Sequence, residues 1–183
     1  IVSGGTQIEK RMVLHCRLIR EAKAIFSTIA VNDVVITAGE PFRMIEVEIS
    51  VQGQKLAGCV GDGVIVSTPT GSTAYNLSAG GPILSADLEA MVITPICAHS
   101  LSFRPIVVNC SDGVQMRPIW VNDNTTLVMD GQIQHALMKD DCVEVVRSKG
   151  QFLIVNNPMR TQWDTLAEKL NWGEKPRYNN RSS

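Results

Sequence analysis

The clearest periodicity in the chain lies at 43–51, where Ile45, Val47, Ile49 and Val51 alternate with Glu46, Glu48 and Ser50. A period of two sets the aliphatic side chains on one face and the polar ones on the other, so the segment is predicted as a half-buried strand. Gln52-Gly53-Gln54 reads as a hairpin turn, with 55–60 as the returning partner. Segment 11–19 is apolar with partial alternation and predicts another strand. Segment 30–37 is rich in β-branched residues, but Asn32-Asp33 interrupts it. Both are poor strand formers, so a turn entering a strand is the plainer reading. Val64-Ile65-Val66 predicts a short buried strand. Further strands follow at 91–96, 106–109, 114–119 and 125–129. Asp130-Gly131 is a turn signal from which 132–137 returns. Segments 142–147 and 152–155 complete the series. Helical signals are few. Residues 76–90 can carry one helix, broken at Gly80-Gly81-Pro82. Thr161 can cap a helix over 161–170, with Trp163, Leu166 and Leu170 as a packing stripe. Residues 1–10 read as polar and turn-like, and 173–183 as a charged tail that frays. Many short strands with few helices predict an all-β sandwich or barrel.

The length, 183 residues, suits one domain with a terminal appendage: a β domain over 1–160 and a helix with its tail over 161–183. A formal net charge of −1 gives no global basic field, so neither nucleic acid nor an anionic membrane is an expected partner. No apolar run approaches a membrane span. The N-terminus has no initiator Met and no signal-peptide pattern, and reads as a cut in a longer protein. The five cysteines, at 16, 59, 97, 110 and 142, include no C-x-x-C pair. They lie in or beside apolar runs, which predicts buried reduced thiols and a reducing, cytoplasmic setting. His15, His99 and His135 lack metal-ligand spacing, and no metal-binding residues are expected.

The unusual chemistry sits in Gly61-Asp-Gly-Val-Ile-Val-Ser-Thr-Pro-Thr-Gly-Ser-Thr-Ala-Tyr-Asn-Leu-Ser-Ala-Gly-Gly-Pro82. Little in it can be buried and much can hydrogen-bond, which suits a backbone wrapped around a ligand. It fails the dinucleotide fingerprint, because Val66 stands where the third glycine belongs and a strand follows in place of a helix. It fails the P-loop, which needs a lysine, and none lies between 56 and 138. There is no G-x-S-x-G elbow. What remains is a binding wall. Asp62 can accept two hydroxyl hydrogen bonds, as a ribose offers. Gly71 and Gly80 permit close backbone approach. Thr70, Ser72, Thr73 and Ser78 supply donors and acceptors, and Tyr75 a stacking face with a polar tip.

Asn32-Asp33, Arg43-Met44-Ile45, Gly61-Asp62-Gly63, the run Ser67-Thr-Pro-Thr-Gly-Ser-Thr-Ala-Tyr75, Gly80-Gly81-Pro82 and Ser100-Leu-Ser-Phe-Arg-Pro105 together resemble, in order and spacing, the C-terminal domain of NAD kinases. The resemblance runs from about residue 11 to 155. It implies a mainly β fold, a β-sandwich with few short helices, that holds much of the NAD. It implies transfer of a phosphoryl group from ATP (polyphosphate in some members) to the 2′-hydroxyl of the NAD adenosine ribose, with Mg²⁺, giving NADP. It implies a homodimer or homotetramer. Residue by residue, Asn32 and Asp33 match the family's Asn-Glu pair, Asp33 being one methylene shorter. Asp62 matches the acidic residue near the ribose and nicotinamide. Thr70, and Thr73, Ala74, Tyr75, Asn76, Leu77 and Ser78, match the nucleotide-contacting segment. Arg43 and Gln132 match further ligand-facing positions.

One family motif has no counterpart. No Gly-Gly-Asp-Gly occurs in the chain, and Gly4-Gly5-Thr6 lacks the acidic residue. The resemblance therefore implies that the general-base Asp lies upstream, that no catalytic residue is in this chain, and that the chain alone is inactive. Two alternatives stand beside this reading. One is a non-catalytic nucleotide-binding or regulatory domain. The other is a lipid or sphingoid kinase relative, against which the polar 67–78 segment argues.

Overall fold

The structure, a computed structural model, describes residues 7–40, 44–157 and 159–170. Twelve strands occur among them: β1 (Gln7–Arg20), β2 (Lys23–Ala30), β3 (Asp33–Thr37), β4 (Ile45–Val51), β5 (Gln54–Gly61), β6 (Gly63–Ser67), β7 (Ala90–Ile96), β8 (Ile106–Asn109), β9 (Val114–Trp120), β10 (Thr126–Met129), β11 (Ile133–Ala136) and β12 (Cys142–Asn156). A 3₁₀ turn (Thr70–Thr73), one helical turn α1 (Tyr75–Ser78) and α2 (Gln162–Leu170) are the helical pieces. Two six-stranded sheets form, ordered β2-β1-β12-β9-β4-β5 and β11-β10-β3-β6-β7-β8. The expected mainly β, sandwich-like fold is what the chain adopts.

The chain separates into two compact units, 11–152 and a smaller one made of 1–10 with 153–183. In the larger unit the alternation in β4 buries Ile45, Val47 and Ile49 and leaves Glu46 and Glu48 partly open. β5 returns through Gln52 (φ 53°) and Gly53 (φ 71°), with Val51 paired to Gln54, a two-residue hairpin of the primed type. The core joins inward residues of both sheets, among them Leu14, Leu18, Ile36, Val64, Val66, Met91, Met116, Leu127 and Val145. β6 lies inside its sheet between β3 and β7, and every residue of it is buried. Its opposite face seats a second, smaller cluster of Val35, Ile65 and Ile96, with Ala79 and Val128 packed on it. Arg20 of β1 ties the two sheets together. Its guanidinium donates to both oxygens of the buried Asp141, at 2.8 and 2.7 Å, and to the Ala136 carbonyl of β11 at 3.4 Å.

In the smaller unit Asn156 Nδ2 donates to Glu9 Oε1 at 2.6 Å. α2 opens on a reciprocal cap: Asp164 N donates to Thr161 Oγ1 at 3.1 Å and Thr161 N to Asp164 Oδ2 at 2.8 Å. Arg160 pairs with Glu168 along the helix.

Several elements differ from the sequence reading. β2 was not expected. It arises because β1 turns back through Glu21 (φ 48°) and Ala22 (φ 61°), with Arg20 paired to Lys23; a left-handed turn without Gly or Asn leaves no turn signal. The expected strands 142–147 and 152–155 are one, β12, because Ser148 to Gly150 stay extended. Residues 7–10 belong to β1 instead of a turn. The helix over 76–90 is reduced to α1, since Gly80 (φ 83°) takes a left-handed conformation and ends it. No residue of α2 is buried, and Trp163 is 58% exposed, so the expected packing stripe does not form among the described residues. The expected fraying of 173–183 lies outside the described residues. Cys16, Cys59 and Cys110 are buried as expected, but Cys97 is exposed. No helix of the described residues is long and apolar enough to cross a membrane.

Candidate functional site

Two strand ends and one loop make the site. Between β2 and β3 the chain turns at Val31-Asn32. Thr68, at the end of β6, accepts that turn: Thr68 N donates to the Asn32 carbonyl at 2.9 Å and Thr68 Oγ1 to the Val31 carbonyl at 2.7 Å. The same Oγ1 accepts from Gly71 N at 2.9 Å, which starts the 3₁₀ turn. A Cβ on Gly71 would lie 2.1 Å from the Asn32 carbonyl oxygen, so no larger residue fits. The close approach expected at Gly71 is therefore made by the protein's own backbone.

Ser72 continues the loop. Its Oγ donates to the Pro69 carbonyl at 2.7 Å and accepts from Leu84 N at 3.0 Å. Asn76 is fully buried. Its Nδ2 donates to the Ser72 and Pro82 carbonyls, each at 3.0 Å, and its Oδ1 accepts from Thr94 Oγ1 at 2.6 Å. The polar groups of this segment thus serve two purposes. Thr68, Ser72 and Asn76 build the loop, while Ala74 and Tyr75 are presented outward.

They face a cleft of about 390 Å³ lined by Asn32, Asp33, Val35, Thr37, Ala74, Tyr75, Val128, Asp130 and Gly131. Val35 and Val128, paired across β3 and β10, give it an apolar floor. Tyr75 is 45% exposed, leaving ring surface open. Asp33 is 4% exposed, and its carboxylate accepts no hydrogen bond from the described residues. Burial first, and then the neighbouring Asp130, push its pKa up to about 6. Asp62 is half-buried where β5 meets β6. Its N donates to the Ile96 carbonyl at 2.9 Å, and its own carbonyl accepts from Ala38 N at 2.8 Å. The neighbouring Asp62 carboxylate pushes the Cys97 thiol up. Burial, then Cys97, Asp62 and Asp33, raise the Tyr75 phenol, so these four groups share one electrostatic neighbourhood.

Of the residues marked in the sequence, Asn32, Asp33, Ala74 and Tyr75 meet in the cleft, with Asp62 electrostatically coupled to Tyr75. Gln132 is exposed in the β10–β11 loop that carries Asp130 and Gly131. Thr73 and Ser78 are exposed and Leu77 half-buried. The Thr70 hydroxyl is buried and has no hydrogen-bond partner among the described residues. The Asn76 side chain works inside the loop. Arg43 lies outside the described residues. The sequence offers Asp130 only as a turn former and Cys97 only as an expected buried thiol. The signal for Asp130 was present, since it stands two residues before the ligand-matched Gln132.

A second groove of about 340 Å³ includes Ile49, Leu56, Ile93, Phe103, Arg104 and Ile106 in its lining. Its one cation among the described residues, Arg104, donates to the Leu101 and Phe103 carbonyls, at 2.6 and 2.7 Å. Polar groups do not converge there as they do around Asp33.

Comparison with known proteins agrees with this geometry. The family model for the ATP-NAD kinase C-terminal domain matches residues 31–157. The chain is 38% identical over 174 residues to the NAD kinase of Geotalea daltonii, covering 95% of this chain and 61% of that protein. It is 41% identical over 172 residues to the NAD kinase of Desulforamulus reducens, covering 93% and 59%. Among solved structures, a yeast NADH kinase complexed with NADH superposes with a TM-score of 0.87 at 28% identity, over 94% of this chain and 52% of that one. An Archaeoglobus fulgidus NAD kinase in complex with ATP gives 0.75 at 25%, over 90% and 61%. The chain thus spans about three-fifths of the length of the curated relatives it matches. With the matched residues running from the Asn32–Asp33 turn to the end of β12, this chain belongs to the ATP-NAD kinase C-terminal domain family.

Proposed function

We propose that this chain is the dinucleotide-binding part of an NAD kinase, which phosphorylates the 2′-hydroxyl of the NAD adenosine ribose with ATP and Mg²⁺ to give NADP. One observation carries the reading. The Asn32–Asp33 turn and the loop ending in Tyr75 are bonded to each other and together wall one cleft. That wall offers a ring face at Tyr75 and an acceptor at Asp33, with the Asp62 carboxylate in the electrostatic neighbourhood of Tyr75, and a nucleoside supplies the complements, a base and hydroxyl donors. The relatives solved with NADH and with ATP support it.

The role of these residues is to bind and orient. The base that would take the 2′-hydroxyl proton is not among them, since no Gly-Gly-Asp-Gly occurs in the 183 residues. Among the described residues no three His, Cys, Asp or Glu side chains gather, and Mg²⁺ that arrives with ATP takes much of its coordination from phosphates and water. Phosphoryl transfer depends on positioning and charge stabilisation, so the chain alone forms no NADP. The reading extends to a reducing cytoplasm, supported by five unpaired cysteines, and to a homodimer or homotetramer, supported by the strand edges of two open sheets.

Isothermal titration of NAD and NADP into the chain tests this. Binding is expected, weakened about tenfold or more in Asp62→Ala as a charged acceptor is lost. Absence of binding by the unaltered chain would overturn the assignment. NADP formed by the chain with ATP and Mg²⁺ would contradict its inactivity.

A further inference from the structure

Asp130 stands at the point where the Asn32–Asp33 turn is assembled. Its Oδ2 accepts from Val31 N at 2.8 Å, and its Oδ1 from Asn32 N at 2.7 Å and Asp33 N at 3.1 Å. Asp130 N returns a bond to the Asp33 carbonyl at 3.1 Å. The residue reaches across 97 positions of sequence to do so, from a left-handed backbone at φ 51°. Three backbone N–H donors satisfy its two oxygens. They also hold it in place beside Asp33.

The two carboxylates are therefore unequal. Asp130 has its donors from the backbone. Asp33 is 4% exposed and lines the cleft, and its carboxylate accepts no hydrogen bond from the described residues. It lacks a donor that a ligand hydroxyl or amino group can provide.

We propose that Asp130 is a positioning residue for the nucleotide site: it fixes the Asn32–Asp33 turn through three backbone hydrogen bonds and turns its charge on Asp33, so that affinity for a hydroxyl-bearing ligand weakens in acid. This rests on the reading of the cleft as an NAD site. Among the described residues the titratable groups lining the cleft are Asp33, Asp130 and Tyr75, with no Lys, Arg or His to offset them. Burial and Asp130 together hold Asp33 at about 6 in the free protein. A ligand donor favours the ionised carboxylate and lowers that value in the complex. Affinity is accordingly complete well above pH 6 and falls as pH drops through about 6, by up to about tenfold per pH unit.

Two measurements on the 183-residue chain test this. The first is ¹³C-carboxyl NMR titration of Asp33 without ligand, in the unaltered chain and in Asp130→Asn. Removal of the charge is expected to lower the Asp33 midpoint by about half a pH unit or more; an unchanged midpoint would overturn the proposal. The second is calorimetry with NAD between about pH 5 and 8. The unaltered chain is expected to lose affinity in acid. Asp130→Asn is expected to bind more weakly at neutral pH and to begin its acid loss at lower pH. Asp33→Asn keeps the Asp130 bonds and serves if Asp130→Asn does not fold; its residual affinity is expected to be flat with pH. A flat profile for the unaltered chain, or unaltered binding by Asp130→Asn at neutral pH, would overturn the proposal. If NAD binds at no pH, the NAD reading fails on its own, and the NMR midpoint still decides whether Asp130 acts on Asp33.

Discussion

Asp33 is held in a folded environment that disfavours its charge. Its pKa of about 6 lies above the ordinary carboxylate value of 3.8. A folded-state value above the unfolded one means that the folded chain binds the proton more tightly. The contribution of this group to stability is intact below pH 3.8 and is lost as pH rises through about 6. The rise from 3.8 to about 6 is equivalent to about 3 kcal/mol. Asp33→Asn is therefore expected to raise stability near pH 8 by up to about 3 kcal/mol, with little gain near pH 4, while weakening NAD binding. Urea unfolding at the two pH values and calorimetry with NAD check both halves. A variant no more stable at pH 8 would show that the carboxylate finds a partner in solution. The group proposed to bind the ligand thus stands where it reduces stability, which is a recurrent feature of functional positions.

The loop that carries Tyr75 is held by side chain to backbone bonds as well as by its own backbone turns. Its sharpest steric constraint is Gly71, where a Cβ would sit 2.1 Å from the Asn32 oxygen. Gly71→Ala is expected to cost more than about 3 kcal/mol and to reduce NAD binding, because Asn32 must move. Unfolding and titration of the same variant measure the two effects. Asn76→Ala leaves the Ser72 and Pro82 carbonyls and the Thr94 hydroxyl without their partner. Its expected cost is about 3 kcal/mol, and limited proteolysis should show faster cleavage across 72–84.

How legible these elements were depended on local signals. β4 and β5 were readable because alternation and Gly53 agree. β2 was not, because Glu21-Ala22 forms a left-handed turn with residues that rarely do so. The helix over 76–90 shrinks to one turn because Gly80 takes a left-handed backbone, and the buried Asn76 inside that turn is fixed by Thr94 from a strand that local sequence cannot place. The site was legible in its words and not in its division of labour. Nothing local distinguishes Ser72 and Asn76, which are buried, from Thr73 and Ser78, which are exposed. Asp130 acts on residues 97 to 99 positions away, and only the pairing of β10 with β3 brings it there.

Across the whole molecule the two sheets are joined by a shared core and by Arg20 clamping Asp141. Asp141 is 2% exposed. Burial opposes its charge, but the Arg20 and Met138 N–H donors outweigh that and hold its pKa below the usual carboxylate value. Its sign is opposite to that of Asp33. Its contribution to stability is present above the unfolded value and is lost as pH falls through the depressed one. Arg20→Met leaves that charge buried and unpaired, with an expected cost of about 3 kcal/mol. Because Arg20 does not line the cleft, NAD affinity of the folded fraction should stay unchanged. Thermal unfolding with parallel calorimetry tests this; a parallel loss of affinity would mean that the clamp also shapes the site.

The central claim is that the cleft between the Asn32–Asp33 turn, Tyr75 and Asp130 holds the nucleoside of NAD. Amide chemical-shift mapping of the chain titrated with NAD tests it most directly. The expected perturbations concentrate at 31–37, 73–78 and 128–132, and weaken in Asp33→Asn. Perturbations centred instead on the groove lined by Leu56, Phe103 and Ile106, or none at saturating NAD, would contradict it.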